Sequence, residues 1–460
     1  MSGRMSLTGG IDVIVVGAGF AGLSAARALS GAGYRVVVLE ARDRVGGRTL
    51  TKTLGGDADG TWVDLGGQWI GPTQDEIAGL VEELDIATFP TWTRGDNLVV
   101  VQGRTRRYRG TIPKLSPLSL LNIGWAQWTI ERMARKVPLD APWSAKKATE
   151  WDARTLGDWL DKSIKTKAAR DLLDAGLETV FAADAREISL LHALFYVHSG
   201  GNLDMLLGTD GGAQATRIVG GMQPVASAMA STLDVRLKCP VRRIEQTDDL
   251  VTVHYDGGEI TASYAVVAAP PKLVADIVFT PEMPTDRRTL MRRMPMGAVV
   301  KCTAVYDRPF WRDDGLSGMV VSDDGPTHVI FDNSPPDASG RGILMGFAEA
   351  NTAKKLGALS ESARRDAATA CFARHFGDRA KTPLAYADHV WEHDEWSGGC
   401  YGAFMPPGVW TSLGPSLREP HGRIHWAGTE TATVWSGYID GAISSGKRAA
   451  QEIVHAREGL

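Results

Sequence analysis

Ile11 to Val16 is a nearly continuous apolar run, which predicts a parallel strand buried on both faces. It passes directly into Gly17-Ala18-Gly19-Phe20-Ala21-Gly22, after which an alanine-rich stretch from Leu23 to Leu29 predicts a helix. Gly31 and Gly33 turn the chain, and Tyr34 to Leu39 predicts a second apolar strand ending at Glu40. In this βαβ context Gly17 serves the turn, Gly19 lets a pyrophosphate approach the backbone, and Gly22 lets the helix pack on the strand. The helix N-terminus offers free N–H groups and partial positive charge to phosphates. Glu40 stands about 20 residues on, where an acid can accept from ribose hydroxyls. The pattern implies a bound dinucleotide and by itself does not choose between NAD and FAD.

Further along, Leu98 to Tyr108 predicts a short hairpin, with Val99-Val100-Val101 returning through Gly103. From there to about Leu207, apolar residues recur every three to four positions through Trp125, Trp128, Trp143, Trp151 and Trp159. That spacing predicts helices outside the nucleotide sheet. Val251 to Tyr255, turning at Asp256-Gly257-Gly258, reads as a β-hairpin. Ala265 to Ala269 reads as a buried strand stopped by Pro270 and Pro271. Alternating strands are expected around Val299 to Tyr306 and Ile343 to Phe347. The chain closes on an amphipathic helix marked by Ile439, Ala442, Ile443, Gly446, Ala450 and Ile453.

A length of 460 residues implies two or three domains rather than one core. A net charge of −4 gives no general reason to expect nucleic acid or an anionic membrane as a partner. Met1 to Gly10 lacks the apolar core of a signal peptide, and no run is long enough for a membrane span. The four cysteines are scattered without CxxC spacing, so a reducing cytoplasm is expected. The pairs His389/His393 and His421/His425 are not HExxH and fall near strands or loops, so no metal site is expected. Four arginines between Arg104 and Arg109 read as a solvated hairpin face. No Gly-x-Ser-x-Gly elbow supports a hydrolase.

Three more segments carry chemistry. Ser397-Gly398-Gly399-Cys400-Tyr401 puts a thiol and a phenol behind two glycines, Gly428-Thr429-Glu430 follows, and Trp435-Ser436-Gly437-Tyr438 adds a second phenol. Arg42-Asp43-Arg44-Val45-Gly46-Gly47-Arg48 and Asp64-Leu65-Gly66-Gly67-Gln68-Trp69-Ile70 follow the fingerprint as further glycine-rich loops. Together these segments closely resemble the flavin-dependent monoamine oxidases. The resemblance spans nearly the whole chain and makes FAD the cofactor expected. It implies an α/β fold like that of amine oxidases and p-hydroxybenzoate hydroxylase: a Rossmann-like FAD-binding domain (1–85, 215–294 and 386–460) interleaved with an α+β substrate domain (86–214 and 295–385). Arg217 to Met222 is expected to return the chain to the FAD domain.

Residue by residue, the resemblance assigns the cofactor to Gly17, Gly19, Gly22, Glu40, Arg42, Gly47, Arg48, Gly66, Gly67, Gln68, Val241, Trp391, Gly428, Glu430 and Ile439. Cys400 matches a cysteine that bonds the flavin 8α carbon, against the plain reading of a small buried hydrophobe. Tyr401 and Tyr438 match an aromatic cage that attracts an ammonium and then flanks the neutral amine. Lys301 sits mid-strand among apolar residues, which is costly unless it is paired, solvated or shifted toward neutrality. The matching family lysine holds a water at flavin N5 and is linked to reoxidation by oxygen; the alternative is an edge-strand lysine facing solvent. Val180, Leu206, Leu207, Val329 and Phe347 fall where the family lines its substrate cavity. Gln214 aligns with a substrate-orienting glutamine across one extra residue. No carboxylate is seen to grip a second ammonium, which points to a hydrophobic monoamine.

The expected activity is oxidation of such an amine by FAD and O2 to an imine, then to aldehyde or ketone with ammonia and hydrogen peroxide. A diamine or polyamine oxidase and a flavoprotein desaturase are the alternatives within the fold. A GDP-dissociation-inhibitor-like carrier is the non-enzyme alternative, opposed by the intact glycines and Glu40. Animal relatives continue into a membrane helix; here the sequence stops at Leu460 just after the last helix, so a soluble form is expected, with a homodimer as the family-level assembly.

Overall fold

A computed structural model describes residues 10–110, 113–337 and 339–458; most of the N-terminal stretch read above lies outside the described residues. The first strand, Val13–Val16, is buried throughout and pairs in parallel with Val36–Leu39 on one side and Tyr264–Val267 on the other. Asp234–Arg236 and Ile424–Trp426 form the edges of this five-stranded parallel sheet. A parallel sheet must be covered on both faces. Val13, Val15, Val38 and Val266 pack against the helices Phe20–Gly31, Gln223–Ala230 and Ile439–Glu458. Gly446 sets how closely two of these helices cross, since a Cβ there would stand 2.1 Å from Ala21 O. Ile14, Val16, Ala265 and Val267 face the other way, toward Ile244 of strand Val241–Gln246 and Val251 and Val253 of the expected hairpin, which forms between Val251–Tyr255 and Gly258–Ala262.

The second large sheet has seven strands, in the order Ala385–Val390, Val299–Tyr306, Gly342–Glu349, Val329–Asp332, Leu316–Ser322, Asp96–Val101 and Arg104–Tyr108. Val299–Tyr306 and Gly342–Glu349 are buried at all eight positions, so the expected alternation of wet and dry faces is not found. Helix Glu361–Phe376 supplies Phe372 and Phe376 against Val300, Cys302 and Ala304. On the opposite face Val299, Phe331, Phe347 and Cys400 cluster. Lys301 is in register with Phe347 on one neighbour and His389 on the other, so the edge-strand alternative does not hold.

The tryptophan-rich region is helical, with Trp125 and Trp128 on Pro117–Ala134, Trp151 on Ala148–Asp152 and Trp159 on Leu156–Ser163. Thr216–Ile218 does not rejoin the five-stranded sheet; it pairs with Trp69–Ile70 and Thr88–Pro90 in a three-stranded sheet. That placement carries Arg217 into a buried polar network. No helix among the described residues is long and apolar enough to cross a membrane.

Candidate active site

Helix Phe20–Gly31 begins behind Gly19 without a side-chain cap, which leaves first-turn N–H groups for a ligand. Gly17, Gly19, Phe20 and Ala21 all face one large cavity. Gly22 does not; a Cβ there would lie 1.9 Å from Gly17 O, so its part is helix–strand packing, as the fingerprint implies. Glu40 also lines the cavity, and its two oxygens are partly committed. Oε2 accepts from the Ala18 N–H at 2.7 Å and Oε1 from the Arg42 N–H at 2.9 Å. The carboxylate therefore ties the glycine turn to the next loop, a role that spacing alone did not show. Arg42 in turn donates to Ser397 at 2.7 Å and pairs with Asp394, joining that loop to the segment holding Cys400.

The cavity measures about 1600 Å³. Ordinary small-molecule pockets run to roughly 1,000 Å³, so this one has room for a dinucleotide and a substrate end to end. Gly47, Arg48, Gly66, Gly67, Gln68, Val241, Cys400, Gly428 and Ile439 line it, as do Tyr401 and Tyr438. Trp391, Glu430 and Lys301 do not reach the wall; each braces a residue that does.

Glu430 accepts from Arg48 at 2.6 and 3.2 Å and from the Ala403 N–H at 3.2 Å. Burial opposes the Glu430 charge and Arg48 outweighs it, holding the carboxyl below its usual range. Arg48 also donates to Tyr401 O at 2.8 Å, so this ion pair fixes the backbone beside Cys400. Trp391 is buried, donates to Leu65 O at 2.9 Å and packs with Cys400. Cys400 is 4% exposed, and burial pushes its thiol up to about 12 while Arg48 and Lys301 pull the other way. Gly399 has φ +146°, and a Cβ there would come within 2.4 Å of Met296 Cβ, so the turn before Cys400 requires glycine.

Lys301 Nζ donates to Gly66 O at 2.9 Å and to Gln68 Oε1 at 2.5 Å. Both acceptors belong to residues on the cavity wall. Burial lowers Lys301 to about 7, with Asp64 opposing the shift and Arg217 assisting it. Gln68 Nε2 donates to Asn333 Oδ1 at 2.9 Å, and Arg217 Nη1 donates to Asn333 O at 2.6 Å. Asp64, Arg217 and Asn333 complete the support behind the lysine. Their sequence signal was weak, because buried polar networks join residues far apart in the chain.

Tyr401 meets Phe347 edge-on with ring centroids 6.0 Å apart. Tyr438 stands 4.8 Å from Trp435 and 6.1 Å from Tyr196. Burial holds both phenols protonated, well above the usual range. Tyr196 lines the same chamber and was missed in the sequence. Its trace is Gly437, where a Cβ would come within 2.5 Å of the Tyr196 hydroxyl.

All six residues expected in the substrate cavity, Val180, Leu206, Leu207, Gln214, Val329 and Phe347, lie on its wall. Gln214 Nε2 donates to Leu206 O at 3.1 Å, while its Oε1 is buried without a partner. The expectation of no carboxylate here needs correction: Asp204 and Asp210 both line the outer part of the cavity and are exposed. Another acid on the wall, Asp332, is held by Trp311 at 2.8 Å and Arg312 at 2.7 Å. His389 Nε2 lies 3.3 Å from Asp394 and His425 Nδ1 lies 2.9 Å from Glu452, and no metal-holding cluster occurs among the described residues.

A half-buried tyrosine pair, the glycine-rich turn at the helix N-terminus and Cys400 are joined in one cavity. Residues 20–454 match the model of the flavin containing amine oxidoreductase family. The chain belongs to that family. It is 46% identical over 445 residues, covering 96% of each chain, to a protein of Mycobacterium tuberculosis provisionally named flavin-containing monoamine oxidase AofH. A putrescine oxidase solved with putrescine bound superposes with TM-score 0.92 at 32% identity, covering 96% of this chain and 99% of that one. Cyclohexylamine oxidase from Brevibacterium oxydans also superposes with TM-score 0.92 at 32% identity, covering 98% of this chain and 100% of that one.

This amine oxidase thus has the expected α/β architecture, a Rossmann-like FAD-binding region with a substrate-binding region. It is an FAD-dependent enzyme that oxidises CH–NH2 donors to imines with O2 as the electron acceptor. The uncapped helix N-terminus, the close approach at Gly19 and Gly47 and the cavity's length all suit FAD.

Proposed function

We propose that the chamber bounded by Tyr401, Tyr438, Tyr196 and Phe347 binds an amine, with FAD lying from Gly17 to Cys400. The observation that carries this reading is the one cavity joining the glycine-rich turn to the tyrosines. Bound FAD supplies the hydride acceptor and passes electrons to oxygen. The protein supplies the rest. Tyrosine ring faces attract the ammonium on entry. Burial beyond them favours the neutral amine, and the unpartnered Gln214 Oε1 accepts its N–H. Both phenols stay protonated, so neither is the base; the amine gives up its proton before the chemical step.

Glu40, Arg42 and Val241 serve the nucleotide half, while Gly66, Gly67, Gln68 and Ile439 serve the ring half, with Glu430, Trp391 and Lys301 acting from behind. Sγ of Cys400 is the point of covalent attachment. We retain the division into an FAD domain and a two-piece substrate domain, with Ala385–Val390 moved to the latter because it completes the seven-stranded sheet. The four cysteines are all free, which supports a reducing cytoplasm.

Asp204 and Asp210 shift the favoured substrate from a simple hydrophobic monoamine to a diamine or polyamine. An amine lying along the apolar wall of Val180, Leu206 and Val329 can place a second ammonium near these carboxylates. The likeness to a putrescine oxidase supports this reading, and the name of the mycobacterial relative supports the monoamine. Peroxide release from putrescine, spermidine, benzylamine and cyclohexylamine separates them. The double variant Asp204→Asn/Asp210→Asn is expected to raise KM for putrescine about tenfold, a loss of about 1.4 kcal/mol of charge pairing, and to leave benzylamine unchanged. Benzylamine turnover with inert diamines would restore the monoamine reading.

A further inference from the structure

Helix Pro117–Ala134 buries Ser119, Ala126, Ile130 and Ala134 along one face. At about 100° per residue, Leu118, Leu121, Trp125 and Trp128 fall within an arc of roughly 80° on another. These four are 66, 72, 49 and 54% exposed. Soluble monomers rarely align so many large apolar side chains without a partner. Arg132, Arg135 and Lys136 continue the same face past the last tryptophan, and the Arg132 guanidinium lies 5.2 Å from the Trp128 ring centroid. The strand Arg104–Tyr108, exposed at all positions but Tyr108, is tied to the segment before this helix by Arg106 Nη1 donating to Lys114 O at 2.8 Å.

Between 104 and 136 the sequence holds eight Lys or Arg and one Asp or Glu, in a chain whose net charge is −4. Among the described residues only Arg109 of these eight forms an ion pair, with Asp96. The single acid, Glu131, is engaged on the inner side by Gln127 and the Leu203 N–H. Ile123 and Gln127, on a different side of the same helix, line the cavity, as do Arg109 and Gly110.

The local charge decides which partner fits. A two-fold interface through this patch would press unpaired cations against their own copies, so a homodimer would have to use another surface. Exposed tryptophan and leucine flanked by lysine and arginine suit the headgroup layer of an anionic bilayer, where rings and stems bury and charges meet phosphate. We propose that helix Pro117–Ala134 and strand Arg104–Tyr108 form a peripheral docking face for anionic lipid. The docking is independent of which amine is oxidised.

The test is flotation of the holoenzyme with phosphatidylcholine vesicles, with and without phosphatidylglycerol. The expected result is binding to phosphatidylglycerol vesicles that weakens with added salt. Leu118→Ser/Leu121→Ser/Trp128→Ser should weaken it at least tenfold, and Arg104→Gln and Lys114→Gln about fivefold each. Peroxide formation from a water-soluble amine should match the parent in every variant, which shows that the fold and the site are intact. Three results would overturn the proposal: no binding to phosphatidylglycerol vesicles at low salt, equal binding to neutral vesicles, or a dimer that the apolar substitutions dissociate.

Discussion

Lys301→Met is expected to slow the reaction of the reduced enzyme with oxygen by about a hundredfold, the usual cost of losing one electrostatic donor at a developing charge. Reduction by amine should change little. Lys301 lies buried in an interior strand, and its Nζ reaches the cavity wall only through Gly66 O and Gln68 Oε1. A group so placed cannot touch the amine, but it can hold charge and a water behind the ring half of the cofactor. Burial lowers Lys301 to about 7, so it is a cation below that pH and neutral above it. Oxygen reduction builds negative charge, which the cation stabilises. The oxygen rate of the parent enzyme should therefore fall as pH rises through about 7, and that inflection should vanish in Lys301→Met. Rapid-mixing measurement of the two half-reactions checks both points, and equal slowing of the two would remove the assigned role.

Acid precipitation of the parent enzyme is expected to keep flavin with the protein, whereas Cys400→Ser should release essentially all of it. The elements around Cys400 leave it little freedom. Its N–H donates to Gly297 O at 2.9 Å, the preceding glycine admits no Cβ, and Arg48 anchors the next carbonyl. The thiol by itself is not activated, because burial pushes it up to about 12 against the pull of Arg48 and Lys301. Thiolate is the reactive form, so attachment should be slow and should proceed faster at higher pH when FAD is added to apoenzyme. Cys400→Ser should still bind flavin noncovalently, since the dinucleotide arm and the Arg48–Glu430 pair are untouched. Flavin released by acid from the parent enzyme would show that the bond does not exist.

The first βαβ unit was legible because its signals are local: an apolar run, glycines at fixed offsets and an acid at the second strand's end. The tyrosine pair was legible for a similar reason, each member carried by its own glycine-flanked segment. Long-range pairings were not. Nothing near residue 40 announces that Glu40 spends two acceptor sites on backbone donors, and nothing near 217 announces a strand shared with Trp69–Ile70 and Thr88–Pro90. Tyr196 was hidden because an aromatic on an amphipathic helix reads as core until Gly437 is seen to make room for it. Asp204 and Asp210 were passed over because a short helix and its loop bring them to the cavity, not any spacing along the chain.

The central claim is that the dinucleotide arm and the tyrosine chamber act as one amine-oxidising site. It is tested most directly by adding putrescine or benzylamine to the purified yellow holoenzyme without oxygen and then admitting air. The flavin colour should bleach with an amine and return with oxygen, and one hydrogen peroxide should form per amine oxidised. A protein that cannot be loaded with FAD, or a loaded flavin that no amine in the panel bleaches, would contradict the claim.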